Sequence, residues 1–301
     1  MFKFKADQKV YDIGNVKVGG ELGENPTVLI GSIFYLGDKL VLNENEGLFD
    51  RNNATALIRE VEDLSRRTGL PAMIDVVCST GKVAVKYIEF VAETTEMPIL
   101  LDAVTEEAAI KGLECAKELD VIERTIFNSI TPETRDLVFE KIKEVGLDSA
   151  ILLTYSSRAI ISSELRIKLL EKMVPKVSES GITKPLIDTV VVDISTLGLA
   201  CKAISEVKNK YGYPAGCGAH NAVGSWKNLK EKSKEIKVAC STIVNCLPVA
   251  IGADFILYGP LKTARYIFPA VGIIDASYGQ LLMERGKRPN LEHPRFKISR
   301  F

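Results

Sequence analysis

Asp75, Asp102, Asn128, Thr154, Asp193 and Asn221 each end a different short apolar run of this 301-residue chain. Carboxylates accept paired hydrogen bonds from adjacent N–H donors, and an amide both donates and accepts. A ring of such groups suits a planar heterocycle with an amino group beside a ring N–H and a carbonyl; a sugar or another polar amide fits the same inventory. Asp and Asn also cap helices and open turns, which explains any one of these residues as well as binding does. Six in series favour a site, and Asn221, closing the stretch Gly212-Tyr-Pro-Ala-Gly-Cys-Gly-Ala-His-Asn221, is its expected centre.

Other motifs carry less. Two histidines, His220 and His293, leave little for a metal centre or a nucleophile–base pair. The six cysteines contain no CxxC pair and read as free thiols. Cys217 beside His220 reads as a small buried thiol rather than a nucleophile. Gly216-Cys-Gly218 lacks the third glycine of a dinucleotide turn, and Thr80-Gly-Lys82 lacks the spacing of a phosphate loop. Tyr258-Gly-Pro-Leu-Lys262 is no glycine-rich phosphate cradle, so a phosphorylated substrate is disfavoured. Lys227, Lys230, Lys232, Lys234 and Lys237 read first as a solvated helix face and second as a docking rim for an acidic partner.

The elements that would position the ring alternate. Apolar runs at Thr27–Gly31, Ala72–Asp75, Ile99–Asp102, Ile126–Asn128, Ala150–Thr154, Val190–Asp193, the stretch to Asn221, and Asp254–Tyr258 make about eight strands. A helical pattern runs through Ala56, Leu57, Val61 and Leu64 to Gly69-Leu-Pro71. Others follow at Val83–Glu93, Glu106–Leu119, Pro132–Val145 with Thr131 as N-cap, Ser163–Glu179, Leu197–Lys210 and Ser241–Ile251. Strand–helix alternation demands a parallel sheet, and eight strands predict an α/β TIM (β/α)8 barrel, with an open doubly wound sheet as the competitor. Polar residues at the carboxyl ends of barrel strands face the substrate mouth. Val10 to Val18 around Gly14-Asn15 predicts a hairpin in front of the barrel. The expected organisation is one domain over 1–301, with the hairpin in 1–25 and a basic, proline-containing tail over 286–301.

Lys plus Arg and Asp plus Glu balance at 39 each, so no net field draws the chain to nucleic acid. The charged N-terminus and the absence of a long apolar run lead to the expectation of a cytoplasmic protein without membrane insertion. A homodimer is expected on general grounds.

Val18-Gly-Gly20, Pro26-Thr-Val-Leu-Ile-Gly-Ser-Ile-Phe-Tyr35, Phe127-Asn-Ser129, Gly212-Tyr-Pro214 leading to Asn221, and Gly252-Ala-Asp-Phe-Ile-Leu-Tyr-Gly-Pro260 together resemble the H-type component of tetrahydromethanopterin S-methyltransferase over nearly the whole chain. The family lies in the pterin-binding methyltransferase superfamily. Its relatives include stand-alone enzymes that exchange methyl groups between a corrinoid protein and tetrahydrofolate. The resemblance implies a pterin-binding TIM barrel, a tetrahydropterin as methyl carrier, and a corrinoid supplied by a partner protein. It assigns Asp102, Asn128 and Asp193 to gripping the pteridine and Asn221 to a hydrogen bond near the methyl-bearing nitrogen; Asp75 and Asp188 match more loosely. Ala103 stands where a serine is expected. The short Thr154–Arg166 segment, Gly216-Cys217 and the tail Glu292-His-Pro-Arg-Phe-Lys297 look more like the stand-alone enzymes than the membrane-complex subunit, which favours tetrahydrofolate, with a tetrahydromethanopterin-specific subunit of a membrane methyltransferase complex as the alternative.

The resemblance implies a methyltransferase in which Asn221 orients and donates but cannot supply a proton, and Asp75 is a candidate relay. A pterin-forming synthase would want basic residues on the last two strands, where Asn221 and Tyr258 stand. A non-catalytic scaffold for a corrinoid protein would not need inward polar strand ends.

Overall fold

The computed structural model describes residues 3–301. Eight parallel strands close into a barrel: β1 Val28–Ile33, β2 Ala72–Cys78, β3 Ile99–Ala103, β4 Thr125–Ile130, β5 Ser149–Leu153, β6 Lys184–Asp188, β7 Ala215–Cys217 and β8 Phe255–Pro260. Their neighbours follow chain order, and β8 pairs with β1 to seal the ring. The long helices on the outside are α1 Arg51–Thr68, α2 Gly81–Thr94, α3 Glu106–Glu118, α4 Asp136–Val145, α5 Ser163–Glu179, α6 Ile194–Tyr211, α7 Lys234–Ile251 and α8 Ala264–Glu284. This is the expected TIM barrel.

Local chemistry sets the helix ends. Asp50, Thr80, Thr105, Ser162, Asp193 and Ser233 accept backbone N–H bonds at N-termini. Gly69, Gly146, Gly212 and Gly252 adopt the left-handed conformation that terminates α1, α4, α6 and α7.

The barrel interior is layered by strand parity, since alternate residues share a face. Val28, Ile30, Met73, Leu100, Ile126, Ile151, Leu186, Phe255 and Leu257 form an inner apolar cluster with Ile13, Val16 and Val18. The last three belong to the N-terminal hairpin, Val10–Ile13 with Val16–Gly19, whose turn lies against the amino ends of the strands: Gly14 N–H donates to Glu123 O just before β4. The hairpin thus plugs the floor, and only the carboxyl end of the barrel stays open.

Several boundaries differ from expectation. The run Val190-Val-Val-Asp193 is a loop, and the sixth strand is Lys184–Asp188. The strand before Asn221 stops at Cys217, four residues short of the asparagine, and β5 stops at Leu153 before Thr154. The fourth helix begins at Asp136 after an Arg135 N-cap; Thr131 instead closes a turn in which its N–H donates to Thr134 Oγ1 at 2.8 Å. The helix expected from Ser241 starts at Lys234, and α8 has no counterpart in the sequence reading. The segment after Gly286 folds as Pro294–Lys297 and Ile298–Arg300, packed on α8: a Cβ at Gly272 would come within 2.7 Å of Ile298 Cδ1, and one at Gly279 within 2.7 Å of His293 Cε1.

Candidate functional site at the barrel mouth

Two residues beyond the apolar layer, the same inward parity puts Ser32 above Ile30, Asp75 above Met73, Asp102 above Leu100, Asn128 above Ile126 and Asp188 above Leu186. The floor is hydrocarbon and the rim is polar. Asp75 is the hub: Ser32 Oγ donates to its Oδ2 at 2.6 Å and Asn128 Nδ2 to its Oδ1 at 3.0 Å. Asn128 therefore turns its amide oxygen elsewhere as a free acceptor. Asp102 sits in register with Asn128 on the next strand, and its carboxyl has no hydrogen-bond partner among the described residues.

Electrostatics separates the two carboxyls. Burial raises the pKa of Asp75, against the lowering pull of Ser32 and Asn128. Burial raises Asp102 well above the usual carboxylate range, and the charge of Asp75 raises it further. The pair therefore holds a proton to higher pH than an isolated carboxyl would. Asp75 already accepts two donated hydrogens, so the proton belongs on Asp102.

Asp188 ends β6 on the same rim. Its Oδ1 accepts Val190 N–H at 2.7 Å, Gly218 N–H also bonds its carboxylate, and burial pushes its pKa up to about 6. Thr154, the first residue past β5, faces away from any ligand role: its N–H and its Oγ1 both donate to Asp188 O at 3.0 Å. It ties two strand ends together.

Asp193 is displaced from the ring. It is the N-cap of α6, where its Oδ1 accepts Thr196 N–H at 3.0 Å and the Ser195 hydroxyl at 2.7 Å, and the Thr196 hydroxyl completes a capping box. These bonds hold its carboxyl below the usual range. The strand-end place expected for Asp193 belongs to Asp188.

Asn221 opens a short helical turn, Asn221–Gly224, and is exposed at the rim beyond β7. A Cβ on Gly218 would stand 3.2 Å from Asn221 Nδ2, so glycine there leaves the amide room to lie over the strand end. His220 is structural: its Nδ1 meets Leu257 O at 2.9 Å, and burial lowers its pKa. The carbonyl can only accept, so Nδ1 carries the proton of a neutral ring. Burial and Asp188 hold the Cys217 thiol well above its ordinary range, which leaves it protonated and inert. All six cysteines are free. Lys227, Lys230, Lys232, Lys234 and Lys237 make no ion pair among the described residues, and four of them are exposed.

Comparison with known proteins decides the family. The model of the tetrahydromethanopterin S-methyltransferase MtrH subunit matches residues 6–289. The chain belongs to this family. The MtrH-type tetrahydromethanopterin S-methyltransferase protein of Methanothermobacter thermautotrophicus is 34% identical, over 99% of this chain and 100% of its own length. The corresponding mtx methyltransferase protein from Methanosarcina barkeri is 34% identical over 98% of both chains. Among solved structures, Yersinia pestis DHPS with a pterine-sulfa conjugate superposes with a TM-score of 0.63 at 13% identity, covering 89% of this chain and 99% of the other. Dihydropteroate synthase from Xanthomonas albilineans in complex with 7,8-dihydropteroate gives 0.59 at 14%, covering 89% of this chain and 98% of the other. Those two likenesses carry the fold alone.

The MtrH family is a methyltransferase family, which sets the synthase alternative aside. Within this member of it, no group of three or more His, Cys, Asp or Glu could hold a metal among the described residues, and no helix there is long and apolar enough to cross a membrane. Sequence reasoning missed Ser32, whose signal was its position two residues after inward Ile30. It gave Asp188 too little weight because the more apolar run that follows looked like the strand.

Proposed function

We propose that this chain transfers a methyl group between a tetrahydropterin held in the barrel mouth and a corrinoid carried by a partner protein. The observation that carries the reading is the polar layer Ser32–Asp75–Asn128 with Asp102 and Asp188, above a plugged apolar floor, in a member of this family. The donor set fits a pterin. The Asp188 carboxylate and the free oxygen of Asn128 accept from an amino group and a ring N–H, and a protonated Asp102 donates to a carbonyl or ring nitrogen. The apolar layer beneath takes the flat ring. The described elements are the barrel, its hairpin and its tail, with no separate corrinoid-binding module beside them, so in this reading the corrinoid arrives on its own protein.

A docked corrinoid supplies a strongly nucleophilic cobalt centre, or a methyl donor in the reverse direction. The chain's own residues handle the amine. A tertiary amine that loses its methyl recovers an electron pair, which a hydrogen bond or proton must stabilise. Asn221 at the rim donates the hydrogen bond. Asp102, whose proton the charge of Asp75 helps to retain, is the protonation source, through water or the pterin ring. The short Thr154–Arg166 segment and the tail favour tetrahydrofolate; tetrahydromethanopterin, named in the curated relatives, is the second candidate.

The test mixes the protein with methylcobalamin and either pterin, with and without a corrinoid protein, and follows the corrinoid absorbance. Demethylation with one pterin is expected. No demethylation in any arm, with the protein shown to be folded, would sink the reading.

A further inference from the structure

We propose that Arg166 is a positioning residue for the mouth, fixing the loop after β6 and through it the placement and charge of Asp188. The inference rests on the reading that Asp188 contacts the pterin.

Arg166 lies in the first turn of α5 and is wholly buried. It meets no carboxylate within ion-pair distance among the described residues. Four backbone carbonyls take its hydrogens instead. Nε donates to Ala159 O at 3.0 Å and Nη2 to Ile160 O at 2.6 Å, while Nη1 donates to Thr189 O at 2.7 Å and Val190 O at 3.0 Å. One guanidinium thus joins the loops that follow β5 and β6. A guanidinium stays charged at all relevant pH, so the fold places a permanent cation here and satisfies it with dipoles.

The loop it holds would not hold itself. Val190 is a buried β-branched residue with φ of 63°, in the left-handed region such residues avoid. Its carbonyl is fixed by Arg166 and its N–H by Asp188 Oδ1. Thr189 is tied on its other side, its N–H and hydroxyl donating to Gly216 O, and its hydroxyl also reaching Ala200 O. The strained residue is therefore gripped between the Arg166 cation and the Asp188 carboxylate. The titratable and charged groups facing Asp188 are Arg166 from α5 and the Cys217 thiol from β7. The thiol is uncharged, so Arg166 supplies the cation that favours an ionised Asp188 against the cost of burial.

The experiment compares wild type with Arg166→Gln and Arg166→Lys. Pterin affinity, with tetrahydrofolate and tetrahydromethanopterin as probes, is measured from pH 5 to 8, and the Asp188 carboxyl is titrated by 13C NMR without pterin. In wild type the carboxyl titrates near 6, and affinity falls as it protonates. Arg166→Gln is expected to move both midpoints up by about one pH unit, which weakens affinity about twofold at pH 7 and about tenfold at pH 5. Arg166→Lys restores the midpoint but not the full affinity, because an ammonium keeps the charge and loses the planar fork. A Gln variant with wild-type midpoint and affinity and only a lower melting temperature overturns the proposal. If the Gln variant does not fold, the Lys variant decides: unchanged affinity there rejects the fork. If wild type binds neither pterin, the functional reading fails, yet the NMR midpoint still reports on Arg166.

Discussion

Asp188 and Asp193 are five residues apart, and their surroundings assign them opposite tasks. Asp193 spends its carboxylate on the first turn of α6, whereas Asp188 ends a strand on the inward face. Asp193→Ala is therefore expected to cost about 1 kcal/mol in urea unfolding, the usual value of an N-cap, and to leave pterin affinity within about twofold. Asp188→Asn should do the reverse, weakening the pterin strongly with little change in unfolding. A large affinity loss in Asp193→Ala would return that residue to the ring. Asn221 is separable by kinetics. It stands exposed at the rim, so Asn221→Ala should slow methyl transfer by about one to three decades with a small change in pterin affinity, on the order of one lost transition-state hydrogen bond. An unchanged single-turnover rate removes it from the mechanism.

At the scale of elements, the three-residue β7 lies tight against β8. A Cβ on Gly216 would lie 2.1 Å from the backbone oxygen of Phe255 on β8, so the strands could only separate. Gly216→Ala should destabilise by about 3 kcal/mol, as severe overpacking does. Gly146→Ala, where a Cβ meets nothing within 4 Å, should cost only the left-handed φ, about 1 to 2 kcal/mol. Equal melting temperatures for the two variants would contradict the close approach. The same short β7 explains a misreading. Lys184 N–H donates toward β5, to Asp148 O, and Ile187 N–H toward β7, to Pro214 O. Pro185 shares the side of Ile187, but β7 begins only opposite Ile187, so its missing N–H falls where no partner strand exists. A proline in the run argues against a strand, and Val190-Val-Val192 next to it argues for one; both local signals were overruled by pairing. α1, α2, α3 and α5 were legible because apolar periodicity and capping residues agree there. α8 was not, since Pro269 interrupts it and Gly272 and Gly279 face the tail instead of carrying apolar side chains. The inward identity of Asp102 and Asn128 was readable because each stands near the carboxyl end of its strand's apolar run; Asp75 is mid-strand, with Val76, Val77 and Cys78 after it, so the run expected to end there stops three residues short of the observed β2. The inward identity of Ser32 required the parity of a buried strand whose residues are apolar on both faces.

For the whole molecule, closure of the barrel depends on the last helix reaching the first strand. Asp275 of α8 accepts Thr27 N–H at 2.7 Å on Oδ2 and the Thr27 hydroxyl at 3.0 Å on Oδ1, at the foot of β1 where the β8–β1 seam forms. Burial pushes its pKa up to about 7, with nearby Asp254 adding to the rise. An unfolded aspartate titrates near 3.9, so between about pH 4 and 7 the folded state binds the extra proton. The stabilising contribution of this group is complete below about pH 4 and is lost as pH rises through 7, at up to about 1.4 kcal/mol for each pH unit. Buried His293 acts in the opposite sense: its pKa is lowered to about 4, so its contribution rises with pH between about 4 and 6.5. The pH dependence of wild-type stability adds these slopes to those of the other shifted carboxyls, and Asp275→Asn removes one of them while an amide oxygen still accepts from Thr27. The difference in urea unfolding free energy, variant minus wild type, should therefore grow from pH 5 to 7 and level off by pH 8, with His293 cancelling because both proteins contain it. Parallel curves across that range would mean that Asp275 stays ionised in the folded barrel. The growing difference would show that the seam carrying Ser32 at one edge of the mouth is held most tightly when Asp275 is protonated.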